Sequence, residues 1–252
     1  KEGYDKRDLL DAGLAVNNKD GRIYDRFRNR VMFPIIDTGG NVIGFGGRVM
    51  DDSTPKYLNS PDPPVYNKSR NVFALNMAKK SKAGRVILTE GYMDTISLHQ
   101  AGFDCAVASL GTSLTADHAK LLSRFTKEVI LCYDGDTAGV QAANRAIPML
   151  EKTGLKVRVL RITGAKDPDE FIKQNGSAAF AKLLLDAESY VTFRIKCAGK
   201  KYNLDNTEQK IDVLTEVAGI LSEIDSDIER DVYLKEEAEK TGIDPAANKG
   251  AV

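Results

Sequence analysis

The segment EVILCYDGDTAG (128–139) decides the fold. EVILCY is a short apolar run closed by a Gly-containing turn, and helical spacing follows from Thr137 to about Lys152. A strand of that kind is buried on both faces. The same strand-then-helix unit recurs on either side. RVILTE (85–90) is followed by a helix over about 93–101, DCAVAS (104–109) by one from Thr115 to about Phe125, and KVRVLRI (156–162) by one over about 168–174. Apolar strands joined by crossover helices predict an α/β fold, with a mostly parallel sheet flanked by helices. Upstream, RVMFPII (30–36), DTGGN (37–41) and VIGFGGRV (42–49) read as strand, turn, strand, with Pro34 arguing against a central position. Residues 51–70 are rich in Asp, Ser, Pro and Asn and read as an irregular loop, and NMAKKSK (76–82) reads as a short helix. Past residue 176, Phe180, Leu183 and Leu184, then Ile211, Leu214, Val217, Ala218 and Leu221, have helical period. The expected organisation is a mixed α+β basic subdomain over 1–83, the sheet over 84–175 and a helical subdomain over 176–252.

The chain has 252 residues, 42% hydrophobic and 29% charged, which excludes a disordered tail, a collagen-like chain and a coiled coil. No run approaches the ~18 apolar residues of a membrane helix. Three scattered cysteines and two histidines argue against disulfide frameworks, zinc ribbons and His-based chemistry, and point to a reducing cytoplasm. The chain begins at Lys1 and not Met, so a piece of a longer protein is expected. The 36 basic and 36 acidic groups cancel, which at face value argues against nucleic acid. The neutrality is regional, however. Residues 1–70 carry net +2, residues 71–180 net +3 and residues 181–252 net −5. Such asymmetry is a reason to look for a partner.

Carboxylates stand at matching places in the strand–helix units: Glu90 ends one strand, Asp134 follows another, and Asp167 and Asp169 follow a third. Strand carboxyl ends line one rim of a parallel sheet, where ligands bind. The plain alternative is helix capping by Asp136, Thr137 or Asp169. As a set, carboxylates crowded on one rim repel one another and lose hydration, and hard divalent cations are their natural counterions. The residues alone thus suggest a metal-assisted phosphoryl-transfer or phosphodiester site, with Gly135 letting Asp134 and Asp136 face one ion.

EGYMD (90–94), SLGTSLTADH (109–118), YDGDTAG (133–139) and KDPDEFI (166–172) together resemble the Toprim module. YDRFRNRVMFPI (24–35), VIGFGGRV (42–49) and TPKYLNSP (54–61) resemble the polymerase region of the bacterial replicative DNA primases of the DnaG type, from about Gly21 to about Asn175. The resemblance implies a Toprim-type sheet and template-directed synthesis of RNA primers from ribonucleoside triphosphates on single-stranded DNA, a nucleotidyl transfer. It implies Mg²⁺, with Mn²⁺ able to substitute. Glu90 and Asp94 are then catalytic, and Glu90, Asp134, Asp136, Asp167 and Asp169 are metal-side carboxylates. Asp94 is equally a first-turn acid favoured by the helix dipole. Arg48, Lys56, Lys68 and Asn59 match nucleotide contacts.

Arg26, Arg28 and Arg30 alternate, so a strand there would place all three on one face, suited to the template backbone. Arg70, in NKSR, joins them as a DNA contact. The alternative is a solvated face paired with Asp20 and Asp25. A replicative helicase is expected to engage the family through a domain outside this chain, and no zinc-binding Cys/His cluster is seen. Competing readings are a Toprim nuclease or topoisomerase, and a non-catalytic DNA-binding scaffold.

Overall fold

The computed structural model describes residues 2–61, 65–202 and 206–241. They form two compact units, Lys1–Ala187 and Glu188–Val252. The division falls at residue 188 and not 176, for a packing reason: Phe180 and Leu184 are buried with Ile87, Leu98 and Ile130 of the first unit. Residues 62–64 of the expected loop, and 242–252 of the expected helical subdomain, lie outside the described residues.

The first unit opens with helix α1 (Lys6–Asp11), started by an Asp5 capping box, and a hairpin of β1 (Ala15–Asn17) and β2 (Ile23–Asp25). An antiparallel sheet follows, in the order β3 (Arg30–Ile36), β4 (Val42–Val49), β5 (Tyr57–Asn59). Pro34 sits in β3, an edge strand, where its missing N–H costs no ladder bond. β5 emerges from the stretch expected to be irregular. Among the described residues its one strand partner is β4, across Gly46–Arg48, and at three residues it has no alternation of its own to announce it. After α2 (Leu75–Ala78) come parallel strands β6 (Val86–Thr89), β7 (Ala106–Ala108), β8 (Glu128–Leu131) and β9 (Lys156–Val159), in the order β9-β8-β6-β7. They alternate with α3 (Tyr92–Gln100), α4 (Ala116–Leu122), α5 (Thr137–Glu151) and α6 (Pro168–Leu185). Every residue of β6 and β7 is buried, as an uninterrupted apolar strand requires. A bridge between Phe73 and Ala108 ties the upstream chain to the β7 edge.

The second unit contains α7 (Tyr190–Gly199), α8 (Thr207–Ser222) and α9 (Asp227–Thr241). Val191, Ile195, Val213, Val217, Leu221 and Leu234 pack as its core; of the expected stripe, Val217, Ala218 and Leu221 are buried and Leu214 partly so, whereas Ile211 is 57% exposed. Among the described residues, no helix is long and apolar enough to cross a membrane.

Candidate active site

The rim is built where β6 and β8 end. Thr89, fully buried, bonds through Oγ1 to Thr95 Oγ1 at 2.9 Å and donates to the Val107 carbonyl at 3.2 Å, which fixes the turn into α3. Glu90 therefore leaves the sheet at its carboxyl end. Its Oε1 accepts the Asp134 N–H at 3.1 Å, so the first and second acidic motifs touch. Behind Asp134, Gly139 packs so closely that a Cβ there would strike the Asp134 carbonyl.

A cleft of about 360 Å³ gathers Glu90, Asp94, Asp134, Asp167 and Asp169, faced by Arg48, Lys56 and Lys166. Asp94, half-buried in the first turn of α3, is pushed up to about 7 by burial and by the charges of Asp167 and Asp134. Asp134 is pushed up to about 6 by burial, then by Glu90 and Asp167, with Lys166 pulling the other way. Asp169 behaves differently. Burial would raise it too, but Lys173 Nζ at 2.6 Å and Ser97 Oγ at 2.7 Å hold its carboxyl below the ordinary value.

Two of the expected ligands serve as helix caps. Asp167 caps α6 through the Glu170 N–H at 2.8 Å while still lining the cleft. Asp136 caps α5 through the Gly139 N–H at 2.8 Å and lies outside the cleft lining. The capping alternative thus describes Asp136 and Asp167, and not Asp169 or Thr137.

The basic residues divide as well. Arg48 and Lys56 line the cleft, with the Arg48 guanidinium 5.8 Å from the centre of the Tyr57 ring. Asn59 lines it too, but its side chain is spent on protein: Nδ2 donates to the Leu110 carbonyl at 3.0 Å and Oδ1 accepts from Tyr92 OH at 2.8 Å. Lys68 is not brought to the cleft; its carbonyl accepts from His118 Nε2 at 2.7 Å. Arg70 pairs with Asp117 at 3.1 Å. Arg26, Arg28 and Arg30 do not share one strand, because β2 ends at Asp25 and Asn29 adopts a positive φ of 51° before β3 begins. Arg26 donates to the Asn59 carbonyl at 3.0 Å and Arg30 to the Pro55 carbonyl at 2.9 Å, while Arg28 lies over the Tyr24 ring.

Sequence reasoning missed Lys166, Tyr92, Ser97 and Lys173. Lys166 stands next to Asp167 in a motif already singled out for its acids, so it was legible there. Tyr92 stacks on Phe33 at 5.6 Å and meets Phe73 edge-on at 4.7 Å. A Cβ on Gly46 would stand 2.9 Å from its ring, which gives the glycines of GFGGR a packing reason.

The donor set suits a hard cation. Asp94 and Asp134 are desolvated, mutually repelled and have no ion pair among the described residues. Also among the described residues, no three His, Cys, Asp or Glu side chains form a ready-made cage. Carboxylate oxygens are the ligands that hard divalent cations take.

Over 96% of its length the chain matches a structure described as the DnaG primase catalytic domain bound to ssDNA, at 39% identity and a TM-score of 0.82, covering 78% of that chain. A DNA primase domain from Pseudomonas aeruginosa matches at 36% identity and a TM-score of 0.82, over 99% of this chain and 81% of that one. The chain belongs to the DnaG-type DNA primase family. Three family models match segments of this primase chain. They are "DNA primase catalytic core, N-terminal domain" at residues 1–79, "Toprim-like" at 87–172 and "DnaB-helicase binding domain of primase" at 191–246. The Toprim primases are metal-dependent. The DNA primase of Clostridium acetobutylicum is 47% identical over 243 residues, 96% of this chain. The chain spans about two fifths of the length of the curated relatives it matches. The match at 191–246 corrects the expectation that a helicase-binding domain lies outside this chain. The period of α8 reports which face is buried and carries no information about a partner, so the likeness was invisible to it.

Proposed function

We propose that this chain is the catalytic core of a DNA primase, joining ribonucleoside triphosphates into short RNA primers on a single-stranded DNA template in the cytoplasm. The observation that carries the reading is the cleft itself, with five carboxylates facing Arg48, Lys56 and Lys166. The proposed organisation is a basic α+β subdomain, a Toprim subdomain and a helical subdomain that engages the replicative helicase.

Asp134 and Asp94 are the proposed principal holders of Mg²⁺ or Mn²⁺, with Glu90, Asp167, Asp169 and the free oxygen of Asp136 around them. When bound, a divalent cation supplies Lewis acidity, lowering the pKa of the attacking hydroxyl and offsetting charge on the pyrophosphate. Arg48 and Lys56 position the triphosphate, and Lys166 adds a third positive charge. Asn59 acts on the nucleotide side by fixing Tyr92 and the Leu110 loop, and Lys68, which does not line the cleft, is proposed to meet the nucleotide from outside it. Arg26, Arg28, Arg30 and Arg70 are the proposed contacts with template phosphates, so template binding should weaken steeply with salt. In the step itself the 3′-oxygen bonds to the α-phosphorus, the bond to the bridging β-oxygen breaks and pyrophosphate leaves. Glu90 takes the hydroxyl proton on Oε2, since Oε1 is engaged by Asp134 N–H.

Labelled single-stranded DNA incubated with ribonucleotides and Mg²⁺ tests the reading. Dinucleotides and longer RNA are expected. Shortened DNA would favour a nuclease, and metal binding and turnover indifferent to Asp134→Ala would favour a scaffold. Full activity in Glu90→Gln with metal binding unchanged would remove the base role.

A further inference from the structure

A second cavity, of about 430 Å³, adjoins the cleft and shares Glu90, Ser109 and Gly111 with it. Three features distinguish it. First, three of the five α5 residues that line it are alanine, Ala138, Ala142 and Ala146, and this leaves the space open; Met149 and Leu114 supply apolar wall. Second, Tyr133 reaches it 8% exposed, and its hydroxyl has no hydrogen-bond partner among the described residues. Third, Arg145 is its one cation and, among the described residues, makes no hydrogen bond or ion pair. Both groups are open to solvent and so available to a ligand that enters the cavity.

We propose that this second cavity binds the nucleotide whose 3′-hydroxyl is extended, with Arg145 on its phosphate, so that the two reactants meet at Glu90. This rests on the primase reading and deepens it. The charge count separates the cavities. The cleft presents Arg48, Lys56 and Lys166, matched to a triphosphate, whereas Arg145 alone matches the single phosphate of an RNA 3′-terminal unit. The volume lies within the ~300–1,000 Å³ of small-molecule sites. Leu114 and Met149 offer a surface for a base, and Thr112, Ser113 and Tyr133 offer hydroxyls for ribose and base edges. The shared wall puts the attacking oxygen beside the carboxylate that accepts its proton.

The binding test uses the whole chain with ¹³C-methyl methionine and a ribonucleoside 5′-monophosphate as probe. A saturable shift of the Met149 methyl is expected, weakened about tenfold by Arg145→Ala, the loss of one charge-assisted contact. Ala142→Phe, which fills the cavity, should abolish the shift. Arg145 is exposed, so its variant keeps the test valid if Ala142→Phe folds poorly. In primer extension, Arg145→Ala should raise KM for a short RNA with a free 3′-hydroxyl about tenfold and KM for the incoming triphosphate by less than about twofold. An unmoved Met149 methyl, a shift indifferent to Arg145→Ala, or equal changes in both KM values would overturn the proposal. A loss of template affinity with primer KM unchanged would assign the cavity to the template instead, and also overturn it. If the wild-type chain makes no RNA, the primase reading fails, while the methyl titration still decides whether the cavity takes a nucleotide.

Discussion

Asp134 and Asp169 line the same cleft but are held in opposite ways. Asp169 has a partner on each oxygen, Ser97 on one and Lys173 on the other, and its carboxyl is held low. Asp134, like Asp94, is desolvated among other carboxylates and pushed up, with the charge of Lys166 opposing at Asp134. Both arrangements put an acid in a partly dry site, and only one completes it with protein. The difference separates an acid whose charge the fold satisfies from acids left for an external cation. The sharpest way to break this contrast is to remove one of each. Asp134→Ala should lower kcat about 10³-fold or more, since metal-assisted charge stabilisation is worth several kcal/mol. Asp169→Asn should lose about tenfold or less, because its position is internally supported. Steady-state primer synthesis at saturating metal measures both, and equal losses would erase the distinction.

That contrast was only half legible in the sequence. The apolar runs 86–89 and 128–131 are so continuous, and so evenly spaced by helices, that the parallel sheet and its acidic rim could be read from them. Periodicity says which strand end carries a carboxylate. It does not say which neighbour neutralises it. Ser97 reaches Asp169 across 72 residues of sequence, and Lys173 lies one helical turn past it on a face with no other marker. The arginines failed for a local reason, because the positive φ at Asn29 interrupts the alternation that would have put them on one face. β5 was hidden because it is three residues long, too short to show alternation, and is joined to β4 by a polar, Pro-containing loop.

The antiparallel sheet is seated against Tyr92, two residues before Asp94, which offers a second way to probe the contrast. Gly46→Val would drive a side chain into the Tyr92 ring, where a single Cβ already stands 2.9 Å away. Overpacking of this kind costs roughly 1–3 kcal/mol, read as a lower denaturation midpoint. It should also admit water to the cleft, so the carboxyl of Asp94 should fall from about 7 toward its ordinary value while Asp169 stays low. ¹³C titration of the aspartate carboxyls would show this. An Asp94 that stays high after the sheet is displaced would mean that the neighbouring acids, and not burial, dominate.

A smaller change tests the paired side. Ser97 is 7% exposed, and its hydroxyl donates to Asp169 at 2.7 Å. Ser97→Ala should destabilise the fold by about 1.5–3 kcal/mol, as for a lost hydrogen bond to a charged group, and Asp169 should titrate higher. Asp134 should not move, and a shift there of similar size would show that the two ends of the rim are coupled.

The smallest effect is the pH dependence of stability without metal, where the two kinds of acid have opposite signs. Asp94 and Asp134 have folded values of about 7 and about 6 against an ordinary 3.8, so the folded chain binds more protons than the unfolded chain between those limits. Their contribution is therefore favourable at low pH and is lost as pH rises through 6 and 7. Asp169 runs the other way: its depressed value gives stability above 3.8 that is lost on further acidification. His118 also opposes the pair. It is fully buried, donates from Nε2 to Lys68 and accepts at Nδ1 from Thr115, and burial lowers its value, so its contribution falls away below its unfolded 6.5. Denaturant midpoints at pH 5 and pH 7.5, in chelator, should differ between the wild type and an Asp94→Asn, Asp134→Asn double variant. The variant should lose the term that favours acid and show the steeper decline from pH 7.5 to 5, with His118 left unopposed. Saturating Mg²⁺ at pH 7.5 should raise the wild-type midpoint and leave the variant's nearly unchanged, because only the unpartnered acids have charge left for a cation to meet.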